Sequence, residues 1–291
     1  MTTYRVHSFA APVLVAMTML ACEQPAPAPE PAEPAPAAEP QVSTRTVAPP
    51  ASTPHWGYEG DTGPSVWGGL SPDFSACAEG SHQSPVDIAA WKSETVPDLR
   101  ASFSAAALRI VHHEHMADAI NNGHTIQVNY TEGDTLDVGD ASYELLQYHF
   151  HAPSEHTLNG QHFPMEMHMV HKASDGSLAV IGVFIEEGAH NAAFDPVWSN
   201  LPREKSVETH FQNVTVNVDD LLPKGHATYR YDGSLTTPPC SEGVKWFVMT
   251  EPIQLSPDQI AAFTALIDGN NRPVQPLNDR SIVTDAVDTE S

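Results

Sequence analysis

Short runs of apolar or alternating residues, typical of β-strands, fill the middle of the chain. They are rich in β-branched and aromatic residues or alternate between apolar and polar positions. The run LAVIGVFI (178–185) is apolar throughout, which is expected of a strand covered on both faces. The other predicted strands are TIQVNY (125–130), ELLQYHFH (144–151), MEMHMVH (165–171), TVNVDD (215–220) and VKWFVMT (244–250). This pattern predicts a mainly β domain.

One helix is predicted near the C-terminal end of the chain. Ser256 can cap its N-terminus, Pro257 stands at its first position, and Gln259 completes a capping box. Gly269 follows the predicted end of the helix. An apolar stripe at helical spacing runs along it and consists of Ile260, Phe263, Leu266 and Ile267.

The N-terminal segment has the pattern of an export signal. Its apolar stretch, SFAAPVLVAMTMLA (8–21), is shorter than the ~20 residues that cross a bilayer as a helix. It ends at Cys22, and the arrangement resembles a bacterial lipoprotein signal, in which this cysteine becomes the lipidated N-terminus. Met19 and Leu20 fit that pattern imperfectly. The alternative is an ordinary cleaved signal followed by an incidental cysteine.

The next segment is too polar and too rich in proline to form a core. Residues 23–54 consist largely of proline, alanine and glutamate with almost no bulky apolar side chain. We therefore predict a signal peptide at 1–21, a lipidated Cys22 with a Pro/Ala/Glu-rich tether at 22–54, a folded domain at 55–282 and an acidic tail at 283–291.

Composition restricts the partners of this domain. A hydrophobic content of 41% is enough for a core. The 13 Lys and Arg residues face 37 Asp and Glu residues, giving a formal net charge of −24. That charge repels phosphate backbones, so nucleic acid is not an expected partner.

The cysteines fit an exported protein. The chain has 3 of them, which leaves one unpaired in an oxidising compartment. If Cys22 is acylated, Cys77 and Cys240 remain as an even pair. They could form a disulfide or stay as two separate buried thiols.

The run QYHFHAPSEH (147–156) is rich in histidine. Alternate side chains of a strand share a face, so Gln147, His149 and His151 point the same way. The same parity puts Glu166 and His168 on one face of the next predicted strand. If the two strands pair, three imidazoles converge, which is the donor set of a catalytic zinc site with one open position. Gln147 and Glu166 each precede a proposed ligand by two residues, where they could hold its second ring nitrogen.

A cupin motif offers an alternative interpretation of the same run. HFHAPSE matches the His-x-His-x₃-Glu opening of cupins, which bind iron or manganese, and Glu155 would then be a ligand. That motif expects a glycine seven residues after the glutamate, whereas Gly160 follows after five. The Pro-x-Gly expected before the last histidine is missing as well, so the sequence disfavours a cupin site.

Several separated blocks, in this order, resemble the α-class carbonic anhydrases over about residues 55–282. The resemblance implies a large, central, twisted mixed β-sheet with a few short peripheral helices. It also implies reversible hydration of carbon dioxide to bicarbonate and a proton. PCSEGV and the region of Cys77 resemble the exported bacterial branch, in which a disulfide links these two places. The blocks are HWGYEG, SHQSPVDI, NNGHTIQV, QYHFHAPSEHTLNG, MEMHMVH, LAVIGVFI, YDGSLTTPPCSEGVKWFV and NNRPVQPLNDR.

The resemblance assigns a role to each residue of the expected site. His149, His151 and His168 would bind one Zn²⁺ per chain, oriented by Gln147, Glu166 and the backbone near Asn270. Glu155 would accept a hydrogen bond from the Thr236 hydroxyl. Thr236 could then only accept from a zinc-bound hydroxide, which is aimed at substrate, and ligands without a proton to donate would be disfavoured.

Other residues would serve the substrate and the proton. His124 resembles the proton shuttle, although by position alone it could be an ordinary exposed histidine at the start of a strand. The residues expected to order water are Tyr58, Asn122 and Gln127. The Thr236 backbone N–H and Thr237 would help to place bicarbonate, and an apolar wall for CO₂ would consist of Val170, Val180, Leu235, Val244 and Trp246. These apolar residues could equally be plain core.

Two other function classes stay open at this stage. A binding module that kept the fold and lost the metal is disfavoured because all three histidines, Thr236 and Glu155 are present. Hydrolysis of activated esters is expected only as a side activity.

The remaining histidines receive no role beyond surface or core: HHEH (112–115), His156, His162 and His171. The expected small-molecule partners are CO₂ and bicarbonate. A membrane is expected as a partner only through the lipid anchor, and the chain could also form a homodimer. The expected location is the bacterial cell envelope, in the periplasm or on the outer membrane.

Overall fold

The computed structural model describes residues 42–46, 54–102, 105–114, 122–130, 133–202 and 207–285. The predicted signal peptide, Cys22, most of the tether and the tail beyond residue 285 lie outside these ranges. So do the side chains of the HHEH segment and of Asn122. No helix among the described residues is long and apolar enough to cross a membrane.

The domain is built on strands, as the sequence predicts. The strands are β1 (Val42–Thr46), β2 (Asp87–Ile88), β3 (Lys92–Glu94), β4 (Leu99–Ser102), β5 (Ala105–Glu114), β6 (Asn122–Asn129), β7 (Thr135–Val138), β8 (Ala141–His151), β9 (Thr157–Leu158), β10 (Met165–Lys172), β11 (Leu178–Glu187), β12 (Val207–Asn217), β13 (Thr228–Ser234), β14 (Glu242–Met249), β15 (Ile253–Leu255) and β16 (Val283–Asp285). The helices are α1 (Trp67–Leu70), α2 (Ala76–Glu79), α3 (Asp195–Trp198) and α4 (Pro257–Thr264), and 3₁₀ turns occupy Gly60–Thr62, Pro72–Phe74, Ala192–Phe194 and Val218–Leu221.

A 14-stranded mixed sheet forms the body of the described domain. Its main path runs β1-β12-β5-β6-β8-β10-β11-β14-β13-β16-β3, with β15 beside β11, β7 beside β8 and β4 beside β7. The central strand β10 is antiparallel to both of its neighbours, β8 and β11, and β11 then pairs in parallel with β14. The predicted fold, a large mixed sheet with a few short peripheral helices, is confirmed.

The core lies on both faces of the central strands. Met165, Met167 and Met169 of β10 belong to an apolar cluster with Tyr148 and Phe150. The opposite face carries a second cluster, which contains Val170, Val180, Val244 and Trp246. β11 is buried along most of its length, in agreement with its apolar sequence. The alternation predicted for β8 and β10 thus sends polar side chains toward one face and large apolar side chains into the core.

The run TVNVDD was predicted as a strand throughout, and this is wrong for its second half. β12 ends at Asn217, and Val218–Leu221 form a 3₁₀ turn. The side-chain amide of Asn217 donates to the Asp220 carboxylate at 3.1 Å. Such local side-chain bonds compete with a sheet ladder. Val218 and Leu221 are nevertheless buried.

The C-terminal helix begins as predicted. The Ser256 hydroxyl accepts from the Gln259 backbone, and the Gln259 side chain accepts from the Ser256 backbone, so the capping box is confirmed. The helix ends at Thr264, earlier than the glycine at 269 suggested. Leu266 and Ile267 continue in a turn whose backbone N–H groups both donate to the Phe263 carbonyl. All four residues of the predicted stripe still pack on the larger core cluster.

Part of the predicted tether is a strand. Val42–Thr46 form β1, which pairs antiparallel with β12. The segment VSTRT contains a valine and two threonines, whose β-branched side chains favour a strand, unlike the proline-rich sequence before it.

Candidate metal centre

The pairing of β8 with β10 brings three histidines together. His168 lies opposite His149, and Glu166 lies opposite His151. One ring nitrogen of each of His149, His151 and His168 lies within 4.8 Å of the others. His151 and His168 are buried, and His149 is partly exposed. The arrangement predicted from strand parity is therefore the one that the sheet produces.

Each imidazole is held by an oxygen acceptor on its second nitrogen. Nδ1 of His149 donates to Oε1 of Gln147 at 2.8 Å, and Nδ1 of His151 donates to the Asn270 carbonyl at 2.7 Å. Nε2 of His168 donates to Oε1 of Glu166 at 2.9 Å. These bonds fix the tautomers, so that Nε2 of His149, Nε2 of His151 and Nδ1 of His168 carry the lone pairs.

The ionisation of the cluster favours neutral imidazoles at two positions. Burial lowers the pKa of His149 well below its ordinary value, and the neighbouring His151 and His168 lower it further. Burial also lowers the pKa of His151. For His168 burial acts in the same direction, but the Glu166 carboxylate outweighs it and raises the pKa of His168. A metal ion at Nδ1 of His168 therefore competes with a proton for this nitrogen.

The residues present fit a zinc ion. Three imidazole nitrogens and one open side match the donor set of catalytic zinc. Nε2 of His151 is buried and has no hydrogen-bond partner among the described residues. A buried nitrogen without a partner is costly unless something binds it. A second group of candidate ligands, His156, Glu166 and His168, is also buried, but its members already bond to one another.

Glu155 lies close to two of the three histidines, His151 and His168. Its side chain is fully buried, and Oε1 accepts from the Arg272 backbone N–H at 2.8 Å. Oε2 is 3.6 Å from Nε2 of His151 and 3.8 Å from Nδ1 of His168. Oε2 has no hydrogen-bond partner in the described part of the chain, so the expected bond from the Thr236 hydroxyl is not formed in this structure.

A pocket opens beside His149 and His168. Its polar rim includes Thr236 and Thr237. Val170, Val180, Leu235 and Trp246 line it, as expected of the apolar wall, together with Leu146 and Leu178, which the sequence did not suggest. Val244 does not line the pocket but is buried in the apolar cluster behind this wall.

His124 lies outside this pocket. Its Nε2 donates to the Trp56 carbonyl at 2.9 Å, and its ring centroid is 4.7 Å from that of Trp56. It lines a different cleft, which also contains His55, Tyr58 and Asp268. The structure thus does not place the predicted shuttle in the pocket beside the metal ligands.

The residues expected to order water have different surroundings. The Tyr58 hydroxyl is buried and has no partner among the described residues. Burial raises the pKa of Tyr58 well above its ordinary value, and the negative charge of Glu155 raises it further. Gln127 is buried, and its Nε2 donates to Oδ1 of Asn129 at 2.5 Å. Asn122 starts β6, and its side chain is not among those described.

Sequence reasoning predicted the contact of Glu166 with His168 but missed its contact with His156. His156, which received no role, is fully buried, and its Nδ1 donates to Oε1 of Glu166 at 2.7 Å. Its Nε2 lies 2.6 Å from the Tyr231 hydroxyl, which is 2.9 Å from Oγ of Ser84. Glu166 and Tyr231 are far apart in the chain, so no local pattern could have connected them through His156.

The cysteine pair is joined. Cys77 and Cys240 form a disulfide, which excludes the alternative of two separate thiols. Cys240 follows the pocket loop directly, and its backbone N–H donates to the Thr237 carbonyl at 2.8 Å. The disulfide therefore ties the loop of Thr236 and Thr237 to the N-terminal helix α2.

Comparison with known proteins gives consistent matches over most of the chain. A family model described as eukaryotic-type carbonic anhydrase matches residues 62–286. The chain is 43% identical over 230 residues to a carbonic anhydrase of Pectobacterium carotovorum, covering 79% of this chain and 90% of that protein. It is 42% identical over 234 residues to a carbonic anhydrase of Nostoc sp., with 80% and 87% covered. A solved α-carbonic anhydrase from Thermovibrio ammonificans, in complex with the inhibitor sulfanilamide, is similar with a TM-score of 0.73 and 40% identity, and 80% of this chain and 100% of that chain are covered.

Proposed function

The chain belongs to the α-class, or eukaryotic-type, carbonic anhydrases, and from this premise we propose how its own residues carry the reaction. The activity is that of a lyase, the reversible hydration of CO₂ to bicarbonate. The observation that carries the proposal is the convergence of His149, His151 and His168, each with its second nitrogen held by an acceptor.

We propose zinc as the metal, one ion per chain, bound by these three histidines. When bound, zinc supplies a Lewis acid that lowers the pKa of a coordinated water to about 7, for which carbonic anhydrases are the standard example. Gln147, Glu166 and the Asn270 carbonyl keep the ligand nitrogens unprotonated and directed toward one point.

Thr236 and Glu155 would select what binds beside the metal. A carboxylate is an acceptor only, so a Thr236 hydroxyl that donates to Glu155 has only its lone pairs left for a ligand. A ligand must then bring a proton of its own to be accepted. Oε2 of Glu155, which has no partner within the described residues, is the atom that the Thr236 hydroxyl would reach. The Thr236 backbone N–H and Thr237 would place the product bicarbonate.

The apolar wall would receive CO₂, which has no net charge or dipole. Val170, Val180, Leu235 and Trp246 line the pocket next to the metal ligands. Val244 supports this wall from behind and shapes it through packing. An apolar surface excludes water from the place where CO₂ must wait, and binding there needs no hydrogen bond.

His124 would carry the proton from the pocket to solvent, with Tyr58, Asn122 and Gln127 ordering the water between them. Nε2 of His124 donates to the Trp56 carbonyl, which holds the ring in place in its cleft. Histidine titrates near neutral pH and can therefore accept and release this proton under working conditions.

The disulfide and the bacterial relatives indicate an extracytoplasmic location. We further propose that Cys22 is lipidated and that the Pro/Ala/Glu-rich tether holds the domain at a membrane of the cell envelope. Mass spectrometry of the mature protein would detect the lipid. We also keep the proposal of a homodimer, which analytical ultracentrifugation would test by measuring the mass of the protein in solution.

CO₂ hydration measured before and after zinc chelation tests the proposal. We expect activity to be lost with the metal, restored by added zinc and inhibited by an aryl sulfonamide. A folded, zinc-loaded protein without hydration activity would falsify the proposal and favour a binding module. A protein that works equally well without metal would exclude the role of the three histidines.

A further inference from the structure

A buried arginine lies behind the carboxylate of Glu155. Arg272 is 1% exposed, and its backbone N–H donates to Oε1 of Glu155 at 2.8 Å. Its Nη1 donates to Oε1 of Gln83 at 2.9 Å and to the Ser84 carbonyl at 2.7 Å. Its Nη2 donates to the Cys77 carbonyl at 3.0 Å. One side chain therefore joins the N-terminal helix and the following loop to the segment that contacts Glu155.

The guanidinium remains a cation in this position. Burial lowers the pKa of Arg272 to about 10, and the Glu155 carboxylate opposes this effect. The group lies 5.7 Å from the ring of Trp67, which is fully buried. A buried cation is costly unless it is paired and fully hydrogen-bonded. The fold therefore keeps a cation close to the carboxylate of Glu155 although burying that cation is costly.

The orientation of the Glu155 carboxylate depends on its hydrogen bond from the Arg272 backbone N–H. Oε1 accepts from Arg272, whereas Oε2 has no hydrogen-bond partner in the described part of the chain. Among the described residues the backbone N–H of Arg272 is the donor to this carboxylate, so a rotation of the Glu155 side chain is resisted mainly at Oε1. The backbone at residue 272 is in turn fixed by the guanidinium bonds to Gln83, Ser84 and Cys77.

The same cluster reaches the loop of Thr236. Nε2 of Gln83 donates to the Cys240 carbonyl at 3.1 Å, and the Cys240 backbone N–H donates to the Thr237 carbonyl. Arg272 therefore contacts Glu155 directly and the pocket loop through Gln83. One guanidinium thus helps to fix the position of both groups of the proposed selection pair, the Glu155 carboxylate and the Thr236 hydroxyl.

We propose that Arg272 is a positioning residue, which determines ligand selection by holding the Glu155 carboxylate with Oε2 directed toward Thr236. This inference rests on the proposed function because it deepens the role given there to Glu155. It makes selection for a proton-donating ligand a property of the packing behind the pocket as well as of the pocket itself.

The experiment compares Arg272→Met with Arg272→Lys, Glu155→Gln and a matched control, Arg280→Met. Arg280 also donates to three carbonyls, those of Leu277, Asp232 and Pro276, and lies over an aromatic ring, but it does not contact Glu155. Cobalt-substituted protein reports ligand binding by its visible absorption, without turnover. The measured quantity is the ratio of the affinities for an aryl sulfonamide, which brings a proton, and thiocyanate, which has none.

We expect this ratio to fall about tenfold in Arg272→Met, because the backbone N–H of residue 272 is then no longer held against Oε1 of Glu155 and this hydrogen bond to a charged group is weakened. The ratio should fall similarly in Glu155→Gln. Arg272→Lys keeps the charge and should restore part of the ratio, whereas Arg280→Met should keep the wild-type ratio. kcat/KM for CO₂ should fall in parallel with the ratio.

Distinct outcomes separate the two ideas. An unchanged ratio in Arg272→Met, with a lowered ratio in Glu155→Gln, would overturn the inference and leave the proposed function intact. An unchanged ratio in Glu155→Gln would overturn the selection role of Glu155 itself. If Arg272→Met does not fold, a wild-type ratio in Arg272→Lys would equally overturn the inference, because the single ammonium nitrogen of lysine cannot occupy the positions of both Nη1 and Nη2.

Discussion

At the scale of single residues, the carboxylate of Glu166 determines which nitrogen of His168 faces the metal position. Oε2 accepts from the backbone N–H groups of Glu155 and His156, and Oε1 accepts from Nδ1 of His156 and Nε2 of His168. Burial by itself raises the pKa of the Glu166 carboxyl, but His156 and His168 outweigh burial and hold that pKa well below its usual range. An acceptor of this kind keeps a proton on Nε2 of His168 and leaves Nδ1 for the metal.

Glu166→Gln should weaken zinc binding. An amide has one acceptor oxygen and one donor nitrogen, so it cannot accept from both rings and both backbone groups. We expect a loss of zinc affinity of about 10- to 100-fold, as is typical when the partner of a ligand histidine is changed. Competition with a chromophoric chelator measures this affinity. Glu144→Gln, on the exposed side of β8, is the control and should bind zinc like the wild type.

His124→Ala should lower turnover in dilute buffer. A group of pKa near 7 releases protons to water at about 10³ s⁻¹, whereas the turnover known for carbonic anhydrase is about 10⁶ s⁻¹. Turnover should therefore fall at least about tenfold in the variant and recover when imidazole is added. Stopped-flow measurement with a pH indicator is suitable. Turnover that is unaffected in dilute buffer would show that protons leave by another route.

His171→Asn should flatten the acid side of the stability profile. Burial lowers the pKa of His171 to about 4, from an ordinary value of 6.5. Between these values the unfolded chain binds a proton that the folded chain does not, so the free energy of unfolding rises with pH over this window and is lost as pH falls. The full effect is about 3 kcal/mol. Asparagine can still donate to the Met169 carbonyl, which His171 Nδ1 contacts.

Urea unfolding at intervals between pH 4 and 7 tests this prediction. The wild type should lose more stability than the variant as pH falls, even if the variant is less stable at pH 7 through lost packing. Parallel curves for the two proteins would mean that His171 does not contribute to acid sensitivity.

The sequence predicted the three histidines because strand parity is a local rule. It could not predict Arg272 or the contact between His156 and Tyr231, since these join segments that are distant in the chain. The sequence could not predict the orientation of the His124 ring for a related reason. Its ring packs on Trp56, which lies 68 residues earlier in the chain.

At the scale of elements, β11 carries a glycine where β10 needs space. Gly182 lies opposite His168 in the ladder. A Cβ at this position would be 3.0 Å from Oε1 of Glu166 and 3.3 Å from a methyl group of Val248. Both neighbours are buried and belong to packed strands. The small residue in β11 therefore makes room for the carboxylate that orients His168.

Gly182→Ala should destabilise the domain and weaken the metal site together. Overpacking of this kind costs about 1–3 kcal/mol, and here the displaced group is Glu166, so zinc affinity should fall as well. Thermal unfolding and chelator competition measure the two effects. Gly69→Ala is the matched control, because a Cβ there meets nothing within 4 Å. It should be neutral or slightly stabilising.

Tolerance of alanine at both positions would show that β11 can shift away from β10. A loss of stability at Gly182 with unchanged zinc affinity would place the strain on Val248 and exclude Glu166 as the displaced group.

The elements also show where a local pattern stops being informative. LAVIGVFI was predicted correctly because a strand covered on both faces has an apolar sequence of its own. In TVNVDD the alternation continues past the end of β12, and the chain turns at Asn217 because a side-chain bond to Asp220 competes with the ladder. The order of the strands, with β12 between β1 and β5, is set by long-range pairing and leaves no trace in any single segment.

At the scale of the whole molecule, the large sheet leaves the N-terminal helices dependent on a few ties. Helix α2 has four residues, Ala76–Glu79, too short to be stable alone. It is held by the disulfide at Cys77 and by the Arg272 guanidinium on the Cys77 carbonyl. The small cluster of Trp56, Trp67 and Phe74 packs around this disulfide. The negative net charge of −24 opposes compaction, which makes such ties more important.

Removal of the disulfide should therefore lower the stability of the whole domain. It closes a loop with a sequence separation of 163, for which the chain-entropy model gives about 5 kcal/mol. Measured losses are commonly about 2–5 kcal/mol, which for a domain of this size corresponds to a fall in Tm of roughly 5–15 °C.

Thermal unfolding of the double variant Cys77→Ala/Cys240→Ala, compared with that of the wild type under oxidising conditions, measures the effect. Wild type treated with a reductant is the control and should approach the double variant. If the double variant and oxidised wild type melt at the same temperature, the bonds of Arg272 and the aromatic cluster hold α2 without help from the disulfide.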